Sequence, residues 1–255
     1  MAVSAAAQTS TIVGSDPVTL SVDATKPGAK IDRNLFGQFA EHLGTGVYEG
    51  IWVGPKSSIP NTRGIRNDVV TALKALKIPN VRWPGGCFAD EYHWRKGIGP
   101  KRPVTLNPNW GGVTESNEFG THEFMDFLDQ IGSRAYLSIN LGSGTQAESA
   151  DWLEYMTTAQ PTALAQERGA NGRTEPWSIP YLGIGNESWD CGGNMTPEYY
   201  LSQLKSYVRF SRNFNPAQQT GADRMLKIAV GPGGDGPRWT EWTEVIMKAW
   251  QGRSW

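Results

Sequence analysis

Short apolar runs alternate with helix-patterned stretches over most of this chain, recurring every 45–55 residues or so. The runs are Leu35–Glu41, Val81–Pro84, Ala135–Leu141, Tyr181–Glu187 and Lys227–Gly231. Behind them come segments with apolar residues at three- and four-residue spacing, over 65–77, 123–131, 147–157, about 197–213 and about 238–250. Strand, helix, strand, repeated, predicts a parallel sheet, because parallel neighbours need a crossover and a right-handed one packs best. Thr196 and Pro197 predict the N-cap and first position of the fourth helix. Ahead of the five units, Val18–Asp23 alternates apolar and polar residues and reads as one more strand. The stretch 95–118 is rich in Gly, Pro and Asn, lacks a period, and reads as a long functional loop.

Five strand–helix units suit either a doubly wound sheet or part of a barrel. The dinucleotide-binding form of the first needs GxGxxG after its first strand. Gly44-Thr45-Gly46 follows that strand, but Glu49 stands where the third glycine belongs. Polar residues also gather at the ends of four runs: Glu41-His42, Arg82 with Gly85-Gly86-Cys87, Asn140, and Asn186-Glu187. A barrel keeps its chemistry at that rim. The expected fold class is therefore α/β, a (β/α)8 TIM barrel with its first five units present. Residues 1–16 are expected to be disordered or a residual export segment, 17–30 to hold the N-terminal strand, and 31–255 to form the partial catalytic barrel.

The rim inventory suits acid–base work on a polyhydroxylated ligand. Glu187, fixed after an apolar strand and partly desolvated, has the setting of a general acid. Simpler roles compete: Glu41 as a capping or rim ion-pair residue, Arg82 as the neutraliser of Glu41 or Glu187, Asn140 as a brace for its own loop. The 11 tryptophans serve either as core or as an aromatic-lined carbohydrate cleft. Net charge is −1 with scattered basic residues, so neither nucleic acid nor an anionic membrane is expected as a partner. No apolar stretch is long enough to span a bilayer. The three histidines lack HExxH spacing and the two cysteines form no CxxC, so no metal is expected and the histidines read as ordinary hydrogen-bonded residues. Cys87 and Cys191 fall in loops that could share a face, but the reading leaves them unbridged. Ala5-Ala6-Ala7 looks like the small-residue end of an export signal, which leaves the compartment open between cytoplasm and periplasm or exterior.

The segments Leu35–Gly44, Val47–Ile51, Val81–Asp90, Tyr92–Pro100, Asn117–Met125 and Gly183–Trp189 together resemble the family 51 glycoside hydrolases, the α-L-arabinofuranosidases. The resemblance implies a barrel followed by a β-sandwich that the N-terminal strand joins. It implies retaining release of terminal arabinofuranosyl groups from arabinan- or arabinoxylan-type oligosaccharides or polysaccharides, without a cofactor, by enzymes that are often homo-oligomeric at full length. It makes Glu187 the general acid/base, sets Asn186 on the sugar 2-hydroxyl and Glu41 on other ring hydroxyls, has Arg82 orient the carboxylates, and puts Trp110 in the subsite wall. Cys87 stands where many relatives carry Asn, and a thiol is a weak donor. Retention needs a second carboxylate about 5–5.5 Å from the first. In the family it ends the seventh strand, and no residue here matches it. The expectation is an N-terminal part without the nucleophile, inactive alone. Two other classes stay open: another barrel glycosidase such as an endo-β-glucanase, and a non-catalytic sugar-binding fragment.

Overall fold

The computed structural model describes residues 19–234 and 239–251. The chain divides into two compact units, Met1–Asp32 and Arg33–Trp255. In the first unit the described residues are exposed and carry one turn, in which the Thr25 backbone N–H and hydroxyl both donate to Asp23 Oδ1. Of the strand expected at 18–23, the described part, residues 19–23, pairs with no other strand among the described residues. Val18 and the export-like segment lie outside the described residues.

The second unit is built on a parallel sheet of five strands: β1 (Gln38–Phe39), β2 (Asn80–Trp83), β3 (Arg134–Ile139), β4 (Tyr181–Ile184) and β5 (Leu226–Ala229). Their spatial order is the chain order, β1 to β5, and every pairing is parallel. A doubly wound sheet reverses its strand order at a switch point; here each new strand adds on the same side, as barrel staves do. The helices α1 (Asn67–Leu76), α2 (Thr121–Ile131), α3 (Gln146–Thr157), α4 (Ala163–Ala170), α5 (Pro197–Phe210) and α6 (Trp239–Gln251) complete the units. Helix α1 packs on α2, α3 on α4 and α5, and α5 on α6.

Period-two alternation sorts the strand residues between two faces. Val81, Trp83, Leu137, Ile139, Leu182 and Ile184 are buried. Between them in sequence, Arg82, Tyr136 and Ser138 take the opposite face, with Phe39, Arg82 and Tyr136 in one register row. Most of the tryptophans are core: Trp52, Trp83, Trp94, Trp152, Trp177 and Trp242 are all buried. Trp83 stacks on Phe124 at 4.8 Å and meets Tyr92, Phe119 and Trp152 edge-on.

Several boundaries differ from expectation. The Leu35–Glu41 run gives a two-residue strand after a 3-10 turn at Arg33–Phe36, with Leu35 and Phe36 exposed. Ile65–Arg66 does not begin the helix; it pairs antiparallel with Asn61–Thr62, and α1 follows. The segment 95–118 is not an irregular loop throughout. Thr105–Asn107 pairs with Val113–Glu115, turning through Pro108–Trp110 and two left-handed glycines. Helix α4 had no counterpart in the periodicity; it is one short element, capped by the Thr162 hydroxyl. Thr196 caps α5 and Pro197 opens it, as expected.

Candidate active site

The rim beyond the strand ends is assembled by three loops. The first carries Glu41, just past β1. Its Oε1 accepts N–H bonds from Gly86 at 2.8 Å and Phe88 at 3.2 Å. The glycine pair is what lets the loop after β2 close on this carboxylate. Gly85 sits at φ +147°, and a Cβ there would come within 2.5 Å of Glu41 Cγ. Any side chain would push the loop away from Glu41.

Beneath Glu41 lies a closed polar network. His42 is buried, and its Nε2 accepts from the Trp83 indole N–H at 3.0 Å. The ring proton must then be on Nδ1, donated to Glu115 Oε2 at 2.9 Å. Tyr48 and the Asn117 N–H donate to the other oxygen of Glu115. Burial works against the charged Glu115, but these donors together hold its carboxyl below the usual range. Phe88 stacks on His42 at 4.5 Å. All three histidines are hydrogen-bonded to protein partners, His93 to Glu148 and His122 to Tyr155.

The loop after β2 also carries Asp90, which sequence reading passed over. Asp90 is 3 % exposed. Its Oδ1 accepts from Leu141 N at 2.8 Å and Gly142 N at 2.9 Å, beyond β3. Its Oδ2 accepts from Asn186 N at 3.1 Å, beyond β4. One carboxylate thus clasps the ends of three consecutive strands. The clue available in the sequence was a lone acid in the apolar run Cys87-Phe88-Ala89-Asp90.

Asn186 and Glu187 lie past the end of β4, in a turn, not on the strand. Arg82 makes no ion pair with Glu41 or Glu187, the two carboxylates expected for it, among the described residues; its guanidinium donates to Ser138 Oγ at 3.0 Å and Asn186 Oδ1 at 2.5 Å. Phe39 and Tyr136 flank it, 4.9 and 5.9 Å from their ring centres. A guanidinium only donates, so it fixes the Asn186 amide with its oxygen toward Arg82; the NH2 then points to Cys191 Sγ, to which it donates at 3.7 Å. Ser138 is the second residue missed; it lies two residues beyond Tyr136, the register partner of Arg82. Glu187 is exposed, with φ +35°. Asn140 takes the simpler of its roles: it bonds Tyr92 O and Ser143 Oγ and accepts from the Ser143 and Gly144 N–H groups, all in adjoining loops.

Cys87 and Cys191 are joined in a disulfide, which corrects the expectation that they stay unbridged. The loops after β2 and β4 reach across the end of β3 and bring the two Cα atoms to 5.5 Å, inside the range a bridge requires. Neither sulfur then carries a proton, so Cys87 offers no S–H to a ligand. Both sulfurs touch Glu187 Oε2, Cys191 at 3.4 Å and Cys87 at 3.8 Å. Trp110 lies in the hairpin turn next to Asn109, whose amide donates to Cys87 O at 3.2 Å. Its own indole N–H is buried without a protein partner.

Residues 72–231 match the family model described as the α-L-arabinofuranosidase 1 domain. The chain is 49% identical, over 225 residues, to an intracellular exo-α-L-arabinofuranosidase of Bacteroides ovatus, covering 88% of this chain and 43% of that protein. Among solved structures it is similar to the family 51 arabinofuranosidase of Xanthomonas axonopodis pv. citri, with TM-score 0.82, 55% identity, and coverage of 88% of this chain and 44% of that one. It is also similar to the Thermotoga maritima α-L-arabinofuranosidase solved as an arabinose complex, with TM-score 0.71, 39% identity, and coverage of 81% and 42%. The chain therefore spans less than half the length of these relatives. The order of the sheet, the rim and these matches agree: this chain belongs to the family 51 α-L-arabinofuranosidases.

Proposed function

We propose that this chain supplies the sugar-binding and acid/base half of a retaining α-L-arabinofuranosidase site, for terminal arabinofuranosyl groups of arabinan- or arabinoxylan-type oligosaccharides. The observation that carries the reading is the exposed Glu187 carboxylate beside an Asn186 amide locked by Arg82. Protonated, Glu187 gives its proton to the departing glycosidic oxygen; ionised, it later takes one from the attacking water. The Asn186 NH2 donates to the ring 2-hydroxyl. Glu41, with one oxygen held by Gly86 and Phe88, takes other ring hydroxyls on its second oxygen. Arg82 acts through Asn186, Trp110 lines the subsite, and Cys87 contributes a bridged sulfur at its wall.

Two nearby carboxylates are already committed. Glu41 and Asp90 each accept backbone N–H bonds, and neither is assigned as nucleophile. The 255-residue polypeptide is therefore expected to bind arabinose-containing oligosaccharides without turning them over. Calorimetry with an arabino-oligosaccharide and a β-glucan, alongside an assay with an aryl α-L-arabinofuranoside, checks this. Binding of the arabinose ligand alone, with no product, is the expected result. Turnover that disappears in Glu187→Gln would overturn the missing-nucleophile reading, and a preference for the β-glucan would overturn the substrate class.

A further inference from the structure

We propose that Cys87, Cys191 and Glu187 form, once the disulfide is reduced, a binding site for a thiophilic divalent cation such as Zn2+. The two sulfurs and a Glu187 carboxylate oxygen all lie within 4.8 Å of one another. Two thiolates and a carboxylate are a ligand set that zinc accepts, with a fourth position left for water. With Zn–S bonds of about 2.3 Å and near-tetrahedral angles, the sulfurs need stand only ~3.8 Å apart. Breaking the S–S bond allows that separation without large movement of the backbone.

What keeps the three ligands together after reduction is the frame around them. Cys87 opens the short 3-10 turn that ends in Asp90. Cys191 closes the turn that begins at Asn186, where the Glu187 carbonyl accepts from the N–H groups of Asp190 and Gly192. The Asp90–Asn186 hydrogen bond ties the two turns to each other independently of the disulfide. Gly192 fits closely between them; a Cβ there would overlap the Asn186 carbonyl and lie 2.8 Å from Asp90 Oδ2. Both sulfurs belong to half-buried residues at the rim, within reach of a small reductant.

The chemistry balances with a dithiol as reductant. It gives two electrons and two protons to the bridge, the S–S bond breaks, two thiols form, and the dithiol closes to its own disulfide. The cation then displaces both thiol protons. In the bridged state the sulfurs hold no thiolate, and the site offers a carboxylate alone. With the cation bound, Glu187 is a ligand and no longer has a free oxygen pair to carry a proton. That consequence, a reversible block of the sugar site, rests on the acid/base reading of Glu187; the cation site itself does not.

The test uses the 255-residue chain in bridged form and after dithiothreitol reduction and anaerobic desalting. Co2+ serves first as a coloured probe, then Zn2+ by calorimetry. One ion per reduced chain is expected, with thiolate-to-cobalt absorption, and none per bridged chain. Cys87→Ser with Cys191→Ser should lose both signals, and Glu187→Gln should weaken binding while keeping the thiolate band. Because the main comparison is between two redox forms of the unsubstituted chain, a variant that fails to fold does not decide the outcome. No ion on the reduced chain, an equal signal in the double serine variant, or loss of the far-ultraviolet dichroism on reduction would each overturn the site. Zn2+ bound with arabino-oligosaccharide binding undisturbed would uphold the site and count against Glu187 facing the sugar.

Discussion

Asp90→Ala is expected to destabilise the chain by about 2 kcal/mol or more, since the buried Leu141 and Asn186 N–H donors lose their acceptor at about 1–3 kcal/mol each and the half-buried Gly142 N–H loses its own. The midpoint of urea unfolding reads this directly. The damage is also expected to reach the proposed sugar site, because the Asn186 N–H is one of the three. Asp90→Asn is the finer probe: one oxygen can still serve Leu141 and Gly142, while the NH2 meets the Asn186 N–H head-on. Sugar binding should fall more than stability does in that variant. The pH dependence adds a second signature. Burial pushes the Asp90 carboxyl up to about 7, against the pull of its N–H donors and of Arg82. An unfolded aspartate titrates near pH ~3.9. Between those values the folded chain keeps a proton that the unfolded chain has lost. The stability from this group is thus fully present below about pH 4 and is lost as pH rises through about 7. The fall in unfolding midpoint between pH 5 and pH 8 should be smaller in Asp90→Asn than in the unsubstituted chain. Equal falls would remove Asp90 as the titrating group.

Trp83→Ala is expected to cost about 3–5 kcal/mol from the core cavity alone. The side chain is fully buried between Phe124, Tyr92, Phe119 and Trp152. Its indole N–H is also the donor that fixes the His42 tautomer, so its loss leaves a buried acceptor unpaired, at about 1–3 kcal/mol more. Set against a usual domain stability of about 5–15 kcal/mol, the sum can unfold the chain. Trp83→Phe separates the two terms, refilling most of the cavity while still stripping His42 of its partner. A urea midpoint that moves little in Trp83→Ala would mean that the aromatic cluster is not the keystone of the β2 end. Trp83 stands next to Arg82 and just before the glycine pair that closes on Glu41, so loss of packing here is felt at the rim.

The parts legible in the sequence were those governed by local periodicity. The β4 run, the cap at Thr196-Pro197 and the order of five strand–helix units follow from spacing of two and three to four residues. Glu187 stood out because a strand end led to it. The parts that were not legible depend on neighbours far apart in the chain. Cys87 and Cys191 are 104 residues apart, and only the stacking of β2, β3 and β4 makes their loops adjacent. Asp90 looks like an ordinary turn acid until the three strand ends are seen to meet on it. The Thr105–Asn107 and Val113–Glu115 pair is too short, and too broken by Gly111 and Gly112, to show a period. Arg82 and Glu187 both looked like halves of an ion pair; instead the register sets Tyr136 beside Arg82, Ser138 two residues further along β3 accepts from it, and the turn sets the Asn186 amide, not the Glu187 carboxylate, against the guanidinium.

Crystals of the chain soaked with a linear arabinofuranosyl disaccharide test the assignment of this rim. Expected is density with the glycosidic oxygen about 2.6–3.2 Å from a Glu187 carboxylate oxygen, the ring 2-hydroxyl on the Asn186 amide and another ring hydroxyl on Glu41. A disaccharide bound with its glycosidic oxygen away from Glu187, or seated on another face of the sheet, would contradict it.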